Sequence, residues 1–179
     1  MRPALGTAAA AALALLGALA LLVPGLGSPF DDPGEGQHAE IAREALQGGG
    51  LLPLRLNGIR YLDKPPLLYV LVAGASWALG PVEWGARLVP LAGTLLAIAA
   101  SVVLGARLLG PTAGLPAGLA LLGAPLFFAF GSYLRPETLF TAAIAWGLTG
   151  LLLSIAPAAG ARRADPRWAL GGWLALGAG

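Results

Sequence analysis

The first long polar stretch of the chain, DDPGEGQHAEIAREALQGGGLLPLRLNGIRYLDKPP over 31–66, gathers six of the nine acidic residues: Asp31, Asp32, Glu35, Glu40, Glu44 and Asp63. It also holds the single histidine, His38, and the single lysine, Lys64. These types suit a group transfer. A carboxylate can accept a proton from a nucleophile or orient it, and an ammonium can meet negative charge as it develops on a leaving group. A plain connector between two membrane helices needs neither. A smaller cluster, Arg135-Pro136-Glu137, follows an aromatic run that includes Phe127, Phe128, Phe130 and Tyr133.

The elements that must position these groups are apolar helices. Of the 179 residues, 57% are hydrophobic and 11% charged, and the mean hydropathy is +0.77; soluble domains carry about 25% charged residues. The expected fold class is all-α, a polytopic integral membrane protein. The net charge of +2 and the scattered arginines exclude a nucleic-acid partner despite a pI near 9.5. With no cysteine there is neither a disulfide framework nor thiolate chemistry.

A membrane-crossing helix takes about 20 apolar residues. Spans are expected at 4–23, 87–109, 112–130 (with Pro116 and Pro125 inside it) and 138–156, with the start of a fifth at 168–179. The first competes with a signal peptide, but its apolar run is longer than such segments carry. The fifth is too short to cross, so the chain is expected to be the N-terminal part of a longer protein. Leu67–Leu79, bounded by Pro65-Pro66 and Gly80-Pro81, gives only about 20 Å of helix and suits an interfacial helix, with Tyr69, Trp77 and Trp84 as anchors. If it does not cross, Arg2, Arg107 and the group Arg162, Arg163 and Arg167 all fall on the cytoplasmic side, as the positive-inside rule requires. That topology puts the N-terminus in the cytoplasm of an inner (plasma) membrane protein. It puts the loop 24–86 and the short loop 131–137 together on the extracytoplasmic side.

Within the long loop, 33–47 is expected to be helical, with Asp32 as N-cap, Pro33 in the first helical position and Glu35 placed as in a capping box. Gly48-Gly49-Gly50 ends it. The stretch 51–61 reads as irregular, with a turn at Asn57-Gly58.

The segments GEGQHAEIAREAL, RLNGIRYLDKPPLLY, EWGARL and RPE, in this order, resemble bacterial GT-C glycosyltransferases, in particular the protein O-mannosyltransferase-like and aminoarabinose transferase-like families 39 and 83, from about residue 30 to residue 155. The resemblance implies a multi-span enzyme that moves a sugar from a polyprenyl-phosphate carrier to a lipid, glycan or protein acceptor on the extracytoplasmic face, with inversion. It implies an acidic residue of the first loop at the acceptor, a second acid in the next outer loop, and the lysine of the D-K-P-P block at the carrier phosphate. On these positions the catalytic candidates are Asp32, Glu35 and Glu137, and the carrier-phosphate candidates are Asp63, Lys64, Arg87 and Arg135. The family often reads Asp-Glu just ahead of its A-E-I-A-R-E helix; here Gly34 precedes Glu35, so the acidic role passes to Asp32, two residues before Gly34, with Glu35 as its alternative. No cofactor is required. A divalent metal could sit near Asp32, Asp63 or Glu137, but no ligand spacing demands one.

Plainer roles stand beside these. Asp32 can be only a helix cap, His38 a polar-face residue, Glu40 with Arg43 a helix-supporting pair, Arg87 an anchor at the outer end of a span, Arg135 with Glu137 a salt bridge, and the aromatics with Tyr133 an interface belt. A transporter subunit is the second function class, but it calls for charged residues within the spans. A non-catalytic membrane assembly or lipid-binding protein is the third, and it gives no reason for acids clustered with a lysine.

Overall fold

The computed structural model describes residues 6–31, 33–48, 51–155 and 167–178. The elements are α1 (Thr7–Leu22), α2 (Gly34–Gln47), β1 (Arg55–Leu56), β2 (Ile59–Arg60), α3 (Leu67–Leu79), α4 (Glu83–Leu109), α5 (Gly114–Leu122), α6 (Pro125–Ala129), α7 (Glu137–Ile155) and α8 (Arg167–Ala178). Among the described residues, three helices are long and apolar enough to cross a membrane: α1 with the 3-10 turn that extends it to Gly25, α4 and α7. α8 occupies the segment expected to begin a further span.

Among the described residues, two apolar clusters hold the elements that position the loops, and a third, of Leu22, Leu26 and Leu91, ties the end of α1 to α4. In the first, the alanine row Ala10, Ala14 and Ala18 of α1, spaced four residues apart and therefore on one helix face, is fully buried against Ile98 and Val102 of α4 and Leu122 of α5. Between apolar helices in lipid, small residues allow the close backbone approach that dispersion forces need. At Gly93 of α4, a Cβ would stand 2.9 Å from the backbone nitrogen of Leu139 and 2.9 Å from the carbonyl carbon of Thr138. Only glycine lets α4 and α7 cross there.

The second core lies in the long loop. Ile41, Ala42 and Ala45 of α2 pack on Leu54, on Leu68, Tyr69 and Val72 of α3, on Ala86 of α4 and on Leu134. The loop is a folded layer seated on the start of α4. Leu134 belongs to the short segment before α7, so this core already joins the two expected outer loops.

Three expectations change. The segment 112–130 is not one helix: α5 ends at Gly123, and Ala124 takes an extended conformation (φ −69°, ψ 120°) ahead of Pro125. Steric conflict with a following proline drives a residue out of the helical region, so α6 starts afresh. The stretch 51–61 is not wholly irregular. Asn57 (φ 53°) and Gly58 (φ 77°) form a two-residue turn joining β1 and β2 as an antiparallel pair, with Arg55 opposite Arg60 and Leu56 opposite Ile59. Two successive positive φ values are what the tight hairpin turn requires. Finally, α2 starts at Gly34 rather than Pro33, with Pro33 at the N-cap position; Asp32, expected to cap it, lies outside the described residues.

Candidate functional site: the junction of two loops

Glu35 sits at the start of α2 and is 1% exposed. A carboxylate that deep needs every lone pair answered, and Glu35 has four donors. Arg87 Nε and the Leu134 amide give to Oε1, each at 2.8 Å, while Arg87 Nη2 at 2.5 Å and the Asp31 amide at 3.2 Å give to Oε2. Burial alone would raise the Glu35 pKa; the bonds from Arg87, Leu134 and Asp31 outweigh it and hold the carboxyl below its ordinary value. Arg87 is equally committed. Besides its two bonds to Glu35, it donates to the carbonyls of Leu26 (2.8 Å), Ser28 and Pro29 (3.0 Å), and Phe30 lies under its guanidinium at 5.1 Å. All five N–H groups of the fork are used.

This knot fastens the chain leaving α1, the first turn of α2, the start of α4 and the segment before α7. At its edge the exposed Asp31 is held by its backbone: its carbonyl accepts from the amides of Glu35 (2.7 Å) and Gly36 (3.1 Å). Its side chain accepts a 2.5 Å hydrogen bond from the hydroxyl of Tyr133. That bond, with burial second, pushes the Tyr133 phenol up to about 12.

A second network runs from α2 toward Lys64. His38 Nδ1 and the Tyr69 hydroxyl lie 3.0 Å apart, both buried. Tyr61 stacks edge-on against Tyr69 with centroids 5.9 Å apart and donates to Asp63 Oδ2 at 3.3 Å. Burial, then the charge of Arg135, lowers the His38 pKa; Glu137, Lys64 and Asp63 also act on it. Lys64 is half-buried at the wall of a groove of about 480 Å³, shared with Leu52, Pro53, Leu54, Tyr61, Leu62 and Pro66. It makes no ion pair or hydrogen bond among the described residues. Arg135 Nη2 pairs with Glu137 Oε1 at 3.0 Å, and Phe130 stands 5.3 Å from the guanidinium. Arg135 Nε and Glu137 Oε2 are buried atoms with no hydrogen-bond partner in the described structure.

No protein-family profile matches the chain. The undecaprenyl phosphate-α-4-amino-4-deoxy-L-arabinose arabinosyl transferase of Edwardsiella ictaluri is 30% identical to it over 166 residues, which cover 92% of this chain and 29% of the relative. The corresponding transferase 1 of Sodalis glossinidius is 32% identical over 172 residues, with the same shares. Crystal structures of ArnT from Cupriavidus metallidurans, apo and bound to undecaprenyl phosphate, each superpose with a TM-score of 0.82 at 28% identity over 93% of this chain and 31% of theirs. Over the matched region the chain has the fold of ArnT. It spans less than a third of the length of these relatives.

The structure pairs several of the sequence candidates. Glu35 and Arg87 form the buried knot, Arg135 pairs with Glu137 before α7, and Lys64 shares a groove with Tyr61, the residue that holds Asp63. Asp32 lies outside the described residues. Among those residues, no group of three or more His, Asp or Glu side chains is placed to hold a metal ion. Two participants were not among the candidates. Tyr133, assigned to an interface belt, is a hydrogen-bond donor at the site. His38, assigned to a polar helix face, is buried against Tyr69. The signal for Tyr133 was present in Gly34, whose missing side chain leaves the space that the phenol enters.

Proposed function

We propose that the protein transfers a sugar from a polyprenyl-phosphate carrier to an acceptor oxygen at the extracytoplasmic face of the membrane, with inversion at the anomeric carbon. The observation that carries this reading is the joining of the two outer loops. Glu35 of the first accepts from the Leu134 amide of the second, and Tyr133 of the second donates to Asp31 of the first. Acids and cations from both loops thereby face one end of the helices. The likeness to a protein solved with undecaprenyl phosphate bound supports a carrier of that class.

In this reading Lys64 meets the carrier phosphate, with the apolar walls of its groove beside the first prenyl units and Asp63, held by Tyr61, keeping the lysine's loop in place. Arg135, through its unpartnered Nε, adds a second positive charge, and Glu137 orients it. A dissociating phosphate needs such charge where its own develops. The acceptor-side acid comes from the Asp31-Asp32 pair, because Glu35 has no lone pair left for a substrate. Glu35 and Arg87 serve as positioning residues. The orientation rests on the positive-inside rule and on the pairing of Arg107 with Trp168 at 6.0 Å, which puts α8 and the far end of α4 together, away from the loop site.

The test is transfer of labelled aminoarabinose from undecaprenyl phosphate in membranes that contain the whole protein. Wild-type membranes should move label into the acceptor lipid or glycan fraction. Lys64→Ala should lose about 10- to 100-fold, the worth of a charge-assisted hydrogen bond. Label that stays on the carrier with wild-type protein and with every polyprenyl-phosphate sugar tried would refute the reading.

A further inference from the structure

The first-loop carboxylates differ in what they have left to give. Glu35 is saturated by four donors. Glu40 is tied to Arg43, Glu44 accepts from the Gly58 amide at 3.1 Å, and Asp63 accepts from Tyr61. Glu35 and Asp31 both reach the second loop, but of the two only Asp31 keeps an oxygen without a donor among the described residues. Its Oδ2 takes the Tyr133 proton, and its Oδ1 has no partner among the described residues. Its backbone is fixed on both sides, since its amide donates to Glu35 and its carbonyl accepts from Glu35 and Gly36.

Gly34 explains how this placement is possible. A Cβ at Gly34 would lie 2.2 Å from the Tyr133 hydroxyl, 3.2 Å from its ring carbon Cζ and 3.3 Å from Asp31 Oδ2. The space that any other residue's side chain would enter is filled by the Asp31–Tyr133 pair. A side chain at position 34 would have to push the Tyr133 hydroxyl away from Asp31.

We propose that Asp31 is the carboxylate that takes the acceptor's proton, held in place by Tyr133 and by the absence of a side chain at Gly34. This rests on the transferase reading above. The acceptor's O–H oxygen forms the new bond to the anomeric carbon, on the face opposite the carrier. The anomeric C–O bond to phosphate breaks, and its electron pair leaves with polyprenyl phosphate. The acceptor's proton passes to Asp31 Oδ1. Asp31 is a catalytic residue in this scheme, and Tyr133 is a positioning residue.

The experiment measures kcat for sugar transfer from undecaprenyl-phosphate aminoarabinose, and the Kd for undecaprenyl phosphate, with the whole protein in membranes or nanodiscs. Asp31→Asn, which keeps shape and removes the base, should lower kcat at least about 100-fold, the usual reach of a general base, and leave the Kd unchanged. Tyr133→Phe should lower kcat about 10-fold, again without changing the Kd, in keeping with a lost charge-assisted hydrogen bond. Gly34→Ala should match Tyr133→Phe, because its methyl displaces the phenol. The double variant Gly34→Ala/Tyr133→Phe should be no worse than either alone, the non-additivity of two changes that break one contact. Asp31→Asn with wild-type kcat, beside an inactive Asp32→Asn, overturns the proposal, as does full additivity of the Gly34 and Tyr133 changes. Absence of transfer by the wild-type protein removes the transferase reading itself, and this assignment with it.

Discussion

At the scale of single residues, the decisive fact is that Glu35 and Arg87 satisfy each other and the surrounding backbone completely. Removing one member of a buried, hydrogen-bonded ion pair strands the other, a loss of about 3–5 kcal/mol. Glu35→Gln and Arg87→Met should therefore each lower the apparent melting temperature by many degrees in detergent or nanodiscs. Arg87→Lys should fare little better than Arg87→Met, because a single ammonium cannot reach two carboxylate oxygens and three carbonyls at once. A melting temperature near wild type for Arg87→Lys would contradict the clamp.

His38 gives a pH-dependent prediction. Its pKa is lowered from the ordinary 6.5, by burial first and by Arg135 next. A histidine held neutral by the fold lends stability above its unfolded pKa, and that stability falls away as the pH drops below it. The wild-type melting temperature should decline from pH 7 toward pH 5. His38→Gln, which stays neutral, should show a flatter decline over that interval. Parallel curves would mean that another group causes the acid sensitivity.

At the scale of elements, the apolar helices α1, α4 and α7 and the short helix α3 were legible because length and periodicity decide them. α2 was legible from its Pro start and Gly stop. The break in 112–130 was signalled by Pro125, but a proline can sit inside a membrane helix whose neighbours satisfy the freed backbone groups, so sequence alone could not choose between a kink and an end. The hairpin of β1 and β2 was announced only by Asn57-Gly58, since two-residue strands are too short to show alternation. The knot was not legible at all, because 52 positions separate Glu35 from Arg87 and 99 separate it from Leu134. The crossing of α4 and α7 at Gly93 gives the prediction at this scale. Gly93→Val would press on the backbone of Thr138 and Leu139 and should cost about 1–3 kcal/mol. It should also impair transfer, because α7 carries Glu137 and follows the Tyr133–Arg135 segment. Unimpaired transfer by a destabilised Gly93→Val would separate the crossing from the site.

At the scale of the whole molecule, one core packs α1, α4 and α5 together and a second seats the folded loop layer on the start of α4, with Leu134 joining the two loops. This arrangement lets residues from distant parts of the chain converge. The central claim is that the carrier phosphate sits between Lys64 and Arg135. Photo-crosslinking tests it most directly, using undecaprenyl phosphate with a photoreactive group at the phosphate end, whole protein in membranes and peptide mapping of the adduct. The account predicts label in 61–66 and 133–137, competed away by unlabelled undecaprenyl phosphate and much reduced in Lys64→Ala. Label confined to the opposite end of the helices, around Arg107 or Arg167, would contradict it.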